Sequence, residues 1–283
     1  MYDTEGEYYC DDARKIKPDE MPDFDLICAG FPCQAFSIAG LKRGFEDTRG
    51  TLFYEYARLI SEIQPKVFIY ENVRGVLNNS HKQTWEIMQK EFNRLGYKIF
   101  HSVLNAADYN IPQNRRRLFV VGFKNKLVNF KFLEPVKLKY RLQDFLIDST
   151  EFGGCKIGKG GKISLSRVPG KIDDQYYLTK AVERYVMKPG TKGWYQKPVI
   201  DLEVARTLLS TMGNHHRAGV DNYVTCNGKV RALSERECLR LMGYTDDFDI
   251  VVSKAQCYKQ AGNSIVVDVL MSIISSILDT KEI

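Results

Sequence analysis

Apolar residues along the first half of the chain follow two alternating patterns. Short apolar runs bounded by Gly, Pro or charged residues are typical of β-strands, whereas longer segments with apolar residues three and four positions apart are typical of helices. The predicted strands are 24–29, 66–70, 97–104 and 117–123, and the predicted helices are 51–63 and 83–95. Strands that alternate with helices predict a doubly wound α/β fold around a sheet of buried parallel strands.

The second half of the chain is patterned differently. Its first part is rich in Lys, Gly, Tyr and Ser and has no long helical period, which predicts a smaller, loop-rich domain. Helical periods return at 233–242 and 264–278. We therefore predict that residues 1–144 and 231–283 build the α/β domain and that residues 145–230 form the smaller one.

Composition adds modest constraints to this picture. A hydrophobic content of 44% and a charged content of 27% are those of an ordinary soluble globular protein. The formal net charge of +6 permits a polyanionic partner without requiring one. No apolar run approaches the ~20 residues of a membrane span, and the acidic N-terminus lacks a signal-peptide pattern. We expect a cytoplasmic protein with no membrane association.

Cysteine usage argues against a metal site or a disulfide framework. The seven cysteines include no Cys-x-x-Cys pair, so most are expected to be buried thiols. The adjacent His215 and His216 have no further ligands at a suitable spacing. We expect no bound metal.

One cysteine differs from the others because of its position. Cys33 lies in a Pro-Cys-Gln turn that directly follows the first predicted strand. Open α/β sheets place their active sites at the carboxyl ends of strands, and Pro32 fixes its own φ and so restricts the turn. A lone cysteine near a strand end is more often a core thiol, yet Cys33 is the best candidate nucleophile in the chain.

Two further polar motifs flank predicted strands. Glu71-Asn72-Val73 follows the second strand, and residues 113–117 read Gln-Asn-Arg-Arg-Arg. Adjacent parallel strands lie ~4.8 Å apart, so groups at their carboxyl ends can converge on one pocket. A thiol, a carboxylate and guanidinium groups suit nucleophilic attack on an electron-poor heterocycle. Each motif alone is commonly a helix cap or a solvated charge, and the prediction depends on their combination.

In this order the motifs resemble those of bacterial DNA cytosine-5 methyltransferases of restriction–modification systems. Six segments match across nearly the whole chain outside its middle. They are 30–37, 49–53, 71–73, 113–117, 231–244 and 260–266. The resemblance implies a Rossmann-like methyltransferase sheet, S-adenosylmethionine as methyl donor, duplex DNA as substrate and a target-recognition domain at 145–230.

The resemblance also implies roles for individual residues. Cys33 would attack C6 of a cytosine flipped out of the duplex, because a stacked base cannot expose C6. Glu71 would engage N3 and the exocyclic amine, and Arg117 would bind the O2 carbonyl with support from Arg115. The remaining implied positions are Pro32, Gln34, Ser37 and Asn72 for the substrate, and Asp12, Leu52 and Asn263 for the cofactor.

The chain departs from the family pattern before Cys33. Members of the family begin with a strand and a Phe-x-Gly-x-Gly loop that holds the cofactor, and neither is present here. A truncated gene, a split enzyme completed by a second polypeptide, or a decayed copy would each explain this departure. We therefore expect the isolated chain to bind S-adenosylmethionine poorly and to methylate little.

Two alternative functions stay open on sequence grounds. A tRNA cytosine-5 methyltransferase would carry the same Pro-Cys-Gln and Glu-Asn-Val motifs, although the long Lys-rich middle segment favours DNA. A DNA-binding remnant or subunit without catalysis would explain the absent cofactor loop. The retained Cys33, Glu71 and Arg117 argue against long decay.

Overall fold

A computed structural model of the chain describes residues 5–31, 51–78, 82–168, 170–190 and 195–283. These residues divide into two compact units. The sheet unit contains Tyr2–Leu104, Arg116–Leu133 and Ile273–Ile283, and the second unit contains Asn105–Arg115 and Glu134–Ser272.

The strands and helices named below are numbered in chain order. The strands are β1 (Leu26–Gly30), β2 (Val67–Val73), β3 (Lys98–Asn105), β4 (Gln113–Asn114), β5 (Arg116–Phe123), β6 (Gly154–Ile157), β7 (Ile163–Ser166), β8 (Ala205–Arg206), β9 (Tyr223–Cys226) and β10 (Lys229–Ala232). The helices are α1 (Thr51–Ile63), α2 (Lys82–Arg94), α3 (Lys180–Val186), α4 (Glu235–Arg240), α5 (Lys254–Asn263) and α6 (Val267–Leu278).

The sheet unit is built on four strands in the order β1-β2-β5-β3. β1 runs parallel to β2, as predicted, whereas β5 runs antiparallel to β2. The sheet is therefore mixed, and β5 departs from the parallel arrangement expected of adjacent strands. β3 and β5 are neighbours joined only by residues 106–115, a connection too short for the crossover that a parallel pair requires.

β1 is also less buried than its apolar sequence predicts. None of its five residues is fully buried, and Cys28 is exposed. The reason is its place in the sheet, since β1 pairs with β2 on one side and lies at the edge of the four strands described. In contrast, the first four residues of β2 are completely buried.

The helices of the sheet unit match the sequence periodicity closely. α1 and α2 begin and end within one residue of the predicted bounds. Gly96, with φ of +90°, follows α2 in the left-handed conformation that favours glycine. Aromatic residues fill the space between helices and sheet, and Tyr56 on α1 donates a hydrogen bond to the Ile69 carbonyl at 2.9 Å. This packing fixes α1 against β2.

The second unit consists of short strand pairs and loops. β6 pairs with β7 and β9 with β10, both antiparallel, while β4 pairs with β8 in parallel. The unit does not follow the predicted boundaries at 144 and 230. Two contacts explain why: Gln113 pairs with Ala205, and the Leu142 amide donates to the Glu203 carbonyl at 2.7 Å. The three-part functional division stays a prediction.

One of the three helices described near the C-terminus was not predicted from the sequence periodicity. α4 and α6 lie inside the predicted segments, whereas α5 was not predicted because its sequence is mostly polar with few regularly spaced apolar residues. By length and composition, the stretch Lys254–Leu278 could cross a membrane. Half of its most apolar window is buried, as in the core helix of a soluble protein, and the helix is interrupted between α5 and α6.

The second unit contains a buried acid whose titration is predicted to affect stability. Asp268 is 2% exposed and accepts a hydrogen bond from the Ile163 amide at 3.4 Å. Its burial raises the pKa of Asp268 to about 6, against an ordinary value of 3.8. The folded state therefore binds the proton more tightly than the unfolded state, and stability should fall as pH rises from about 4 to about 6.

Replacement of this acid by its neutral isostere tests that linkage. Asp268→Asn should leave stability nearly unchanged near pH 4 and raise it at pH 7 by about 1–3 kcal/mol, because a neutral amide needs no deprotonation. Urea unfolding at both pH values measures the difference. Asp221, whose pKa burial also raises to about 6, should preserve a smaller pH slope in the variant. Equal stabilisation at both pH values would contradict this explanation.

Candidate active site

Two predicted residues meet where the inner strands β2 and β5 lie side by side, at the carboxyl end of β2. Glu71 on β2 and Arg117 on β5 form an ion pair, with Oε1 and Nε 3.1 Å apart. Their side chains are 15% and 19% exposed, so the pair is largely shielded while still reaching the surface. The antiparallel direction of β5 produces this contact, because it places Arg117 opposite Val73 at the carboxyl end of β2.

A glycine on the neighbouring strand leaves room for the Glu71 carboxylate. Gly30, the last residue of β1, is the register partner of Glu71. A Cβ atom at this position would lie 3.2 Å from Glu71 Oε2, which is tighter than an ordinary contact. The chain reaches Cys33 three residues later. Gly30 was not predicted as a site residue, although a glycine ending a strand beside a functional acid is a usable signal.

Opposite charges hold the Arg117 guanidinium beside the Glu71 carboxylate. Burial lowers the pKa of Arg117, and attraction to Glu71 raises it in part. The guanidinium stays protonated because its ordinary pKa lies far above neutral pH. A carboxylate accepts hydrogen bonds and a guanidinium donates them, so the two groups suit a planar ring that carries both donors and acceptors.

Asn72 has a different environment from Glu71. Consecutive strand residues face opposite sides of a sheet, and Asn72 is only 2% exposed. Its Nδ2 donates to the Phe31 carbonyl at 3.3 Å and to the hydroxyl of Tyr70, and its Oδ1 accepts from the Val73 amide at 2.7 Å. The substrate contact implied for Asn72 stays a prediction, and its described partners are all protein groups.

Four predicted residues lie outside the part of the chain that the structure describes. They are Pro32, Cys33, Gln34 and Ser37. Phe31, the last described residue before them, packs its ring 5.0 Å from that of Tyr70 and 6.0 Å from that of Tyr56. Phe31, two residues before Cys33, is thus anchored in the aromatic core of the sheet unit.

Arg115 is placed apart from Arg117, in the second unit. It is 4% exposed, and its guanidinium donates to the carbonyls of Leu208, Gly262 and Ser264 at 3.3, 2.9 and 2.7 Å. Arg115 therefore fixes the turn on both sides of Asn263. A Cβ atom at Gly262 would lie 2.2 Å from the Ser210 nitrogen, so only glycine permits this packing. The supporting catalytic role predicted for Arg115 is not tested by these contacts.

The three predicted cofactor residues divide between the units. Asn263 is exposed at the end of α5 in the second unit. In the sheet unit, Leu52 lines an apolar cavity of about 350 Å³ together with Gly30, Phe31 and Tyr56. Asp12 is not among the residues that line it, although its neighbour Ala13 is.

This cavity fits only part of S-adenosylmethionine. Its described lining contains no Asp, Glu, Lys or Arg, which suits a flat adenine ring but offers no partner to the charged methionine end. The Asp12 carboxylate is bound by Arg14, whose side chain lowers the pKa of Asp12 to about 2. The donor set for the ribose and methionine groups is thus absent from the described residues of this cavity.

Polar side chains also occur in the second unit, around the segment 211–220 predicted to face DNA. Thr211 Oγ1 lies 2.8 Å from His216 Nε2, and the Arg217 guanidinium lies 4.1 Å from the centre of the Tyr185 ring. Among the described residues, no group of three or more His, Cys, Asp or Glu side chains could hold a metal ion.

Comparison with known proteins assigns the chain to a family. A profile of C-5 cytosine-specific DNA methylases matches residues 1–279. The chain belongs to this family. It is 36% identical to the type II methyltransferase M.HhaI of Haemophilus parahaemolyticus, over 93% of this chain and 78% of that protein. It is 33% identical to M.HaeII of Haemophilus aegyptius, over 99% of this chain and 82% of that protein.

Solved structures of methyltransferases share the fold at lower identity. Dnmt2 of S. pombe superposes with a TM-score of 0.68 at 18% identity, over 95% of this chain and 83% of that one. An E. coli prophage-encoded DNA modification methyltransferase, described as putative, gives a TM-score of 0.61 at 20% identity, over 94% and 81%. These similarities confirm the predicted Rossmann-like α/β methyltransferase fold.

The contacts of Arg115 generate a stability prediction. Arg115→Met should lower the free energy of unfolding by about 2–4 kcal/mol, because three backbone carbonyls lose a donor that is itself buried. The exposed neighbour Arg116 is the matched control, and Arg116→Met should change stability by less than about 0.5 kcal/mol. Denaturant unfolding monitored by circular dichroism measures both. Equal stability of the two variants would show that the Arg115 contacts contribute nothing.

Proposed function

We propose that the chain methylates C5 of a cytosine in duplex DNA, with S-adenosylmethionine as donor, through a covalent bond between Cys33 and C6. The observation that carries this proposal is the Glu71–Arg117 pair. It lies beside the last residue of β1, three residues before Cys33. Membership of the C-5 cytosine-specific family and similarity to type II methyltransferases support it. The enzyme would act in the cytoplasm within a restriction–modification system.

The residues of the site would divide the chemistry between them. The Cys33 thiolate forms a bond to C6, and the electron pair of the C5–C6 double bond becomes available at C5. Glu71 stabilises this state by hydrogen-bonding the N3 side of the ring, and Arg117 holds the O2 carbonyl. When bound, S-adenosylmethionine would supply the electrophilic methyl group for C5 and leave as S-adenosylhomocysteine. Loss of the C5 proton then expels the thiolate and restores the ring.

The second unit would provide the contacts to DNA. A cytosine must leave the helix before its C6 can meet a thiol, so the protein must hold the duplex while one base is extruded. The basic residues of 145–230 suit phosphate contacts, and the segment 211–220 is our candidate for base contacts. Specificity for one target sequence would arise there.

The cofactor would bind with its adenine ring in the apolar cavity beside Leu52. Among the described residues no charged side chain lines that cavity, which supports the prediction that a further segment, or a second polypeptide, completes the donor site. The exposed edge of β1 is where an additional strand could pair. Asn263 remains a predicted cofactor residue.

Proton exchange at C5 tests the proposed chemistry without the methyl donor. Addition of Cys33 at C6 makes C5 basic, so the enzyme should release tritium from [5-³H]cytosine in target-bearing DNA. Glu71→Gln and Cys33→Ser should each lower the exchange rate at least about 100-fold, because general acid–base or nucleophilic assistance is lost.

The matched control is Glu86→Gln, which alters an exposed acid on α2 and should exchange at the parent rate. The substrate DNA is best supplied as a library of short duplexes of varied sequence, since the target sequence is unknown. Exchange confined to tRNA would overturn the choice of DNA as substrate. Duplex binding without exchange in any library member would instead support a non-catalytic subunit.

Calorimetry tests the incompleteness of the donor site. The isolated chain should bind S-adenosylmethionine with a dissociation constant above ~0.1 mM, a binding free energy weaker than about −5.5 kcal/mol. Adenosine should bind about equally well, because only the adenine end finds a matching wall. Leu52→Asp should weaken both ligands by placing a charge in the apolar cavity. Low-micromolar binding of the donor, but not of adenosine, would contradict the proposal.

A further inference from the structure

Asn72 lies immediately beside the predicted catalytic acid but faces the interior. Its side chain is 2% exposed, and both hydrogens of its amide are donated to protein acceptors. One acceptor is the Phe31 carbonyl and the other is the Tyr70 hydroxyl. A side-chain amide has two N–H donors, so Asn72 has no donor left for a substrate.

The acceptor on Phe31 is significant because of where that residue lies. Phe31 follows the last residue of β1, and Cys33 is two positions further along the chain. The Phe31 ring also packs against Phe53, Tyr56 and Tyr70. The backbone and the side chain of Phe31 are therefore both held, one by Asn72 and the other by the aromatic core.

β2 thus connects the two halves of the proposed chemistry. Glu71 on one face of the strand pairs with Arg117, and Asn72 on the other face holds the chain that leads to Cys33. The hydrogen bond from the Val73 amide to Asn72 Oδ1, at 2.7 Å, fixes the orientation of the side-chain amide. A single strand consequently carries both the Glu71 carboxylate and the amide that holds the Phe31 backbone.

We propose that Asn72 is a positioning residue that holds the backbone of Phe31, two residues before Cys33, in place of the substrate contact implied by resemblance. This inference rests on the proposed function. Small displacements of a reacting group have large effects on rate, and a shift of about 1 Å can cost about 100-fold. Loss of the amide donor should therefore slow addition to C6 without weakening DNA binding.

Two variants test the role. Asn72→Ala removes the side-chain amide, and Asn72→Asp keeps its shape and its acceptor for the Val73 amide but replaces the donor with an oxygen. Each should lower the C5 exchange rate at saturating DNA by about 10–100-fold, while the dissociation constant for the same duplex changes less than about 2-fold. Thr84→Ala, a buried polar position on α2 in the same unit, is the control for unspecific loss of packing.

Thiol alkylation provides a second readout that needs no DNA. Iodoacetamide labelling over a pH series, resolved by peptide mass spectrometry, should show a changed rate or pH profile at Cys33 in both variants. Labelling of the partly exposed Cys10 should stay at the parent value. The buried Cys238 should stay unlabelled, which verifies that the protein is folded. Asn72→Asp is the variant to compare if Asn72→Ala does not fold.

The outcomes separate this inference from the function on which it rests. Parent-like exchange and parent-like Cys33 labelling in both variants would overturn the positioning role. Weaker DNA binding in proportion to the loss of exchange would also overturn it, in favour of a substrate contact. If the parent protein shows no exchange, the proposed function fails, and the Cys33 labelling profile alone decides whether Asn72 positions the segment.

Discussion

The pairing of β2 with two strands of opposite direction is the constraint on which the proposed site depends. β1 runs parallel to β2, so the chain that leads to Cys33 leaves the sheet beside Glu71. β5 runs antiparallel, so its first residues, including Arg117, lie at that same edge. Had β5 been parallel, Arg117 would have been at the opposite end of the sheet. The registers Gly30–Glu71 and Val73–Arg117 thus bring together the acid, the cation and the end of β1, three residues before Cys33.

The Gln-Asn-Arg-Arg-Arg motif serves two structural purposes within five residues. Arg115 is buried in the second unit, where it binds the backbone on both sides of Asn263. Arg117 belongs to the sheet unit and pairs with Glu71. The exposed Arg116 separates them. The alternation follows from extended backbone, in which neighbouring side chains point in opposite directions, and it explains why three consecutive arginines are not equivalent.

Sequence patterns predicted the local elements of the sheet unit better than their arrangement. α1 and α2 were predicted almost to the residue because their apolar spacing is regular. The direction of β5 and the exposure of β1 were mispredicted, since both depend on which strands become neighbours. Glu71 and Arg117 could be chosen as site residues from the order of the motifs. The inward-facing amide of Asn72 and the space beside Gly30 could be seen only once the register of the strands was known.

The central claim is that Cys33 is the nucleophile that adds to a pyrimidine ring held beside Glu71 and Arg117. Duplex DNA carrying 2-pyrimidinone at the target position tests it most directly, because that ring lacks the electron-donating amine and accepts a thiol at C6 without a methyl donor. Peptide mass spectrometry of the trapped complex should find the adduct on Cys33 and on no other cysteine. An adduct on a different cysteine, or no adduct with DNA that the protein binds, would contradict the account.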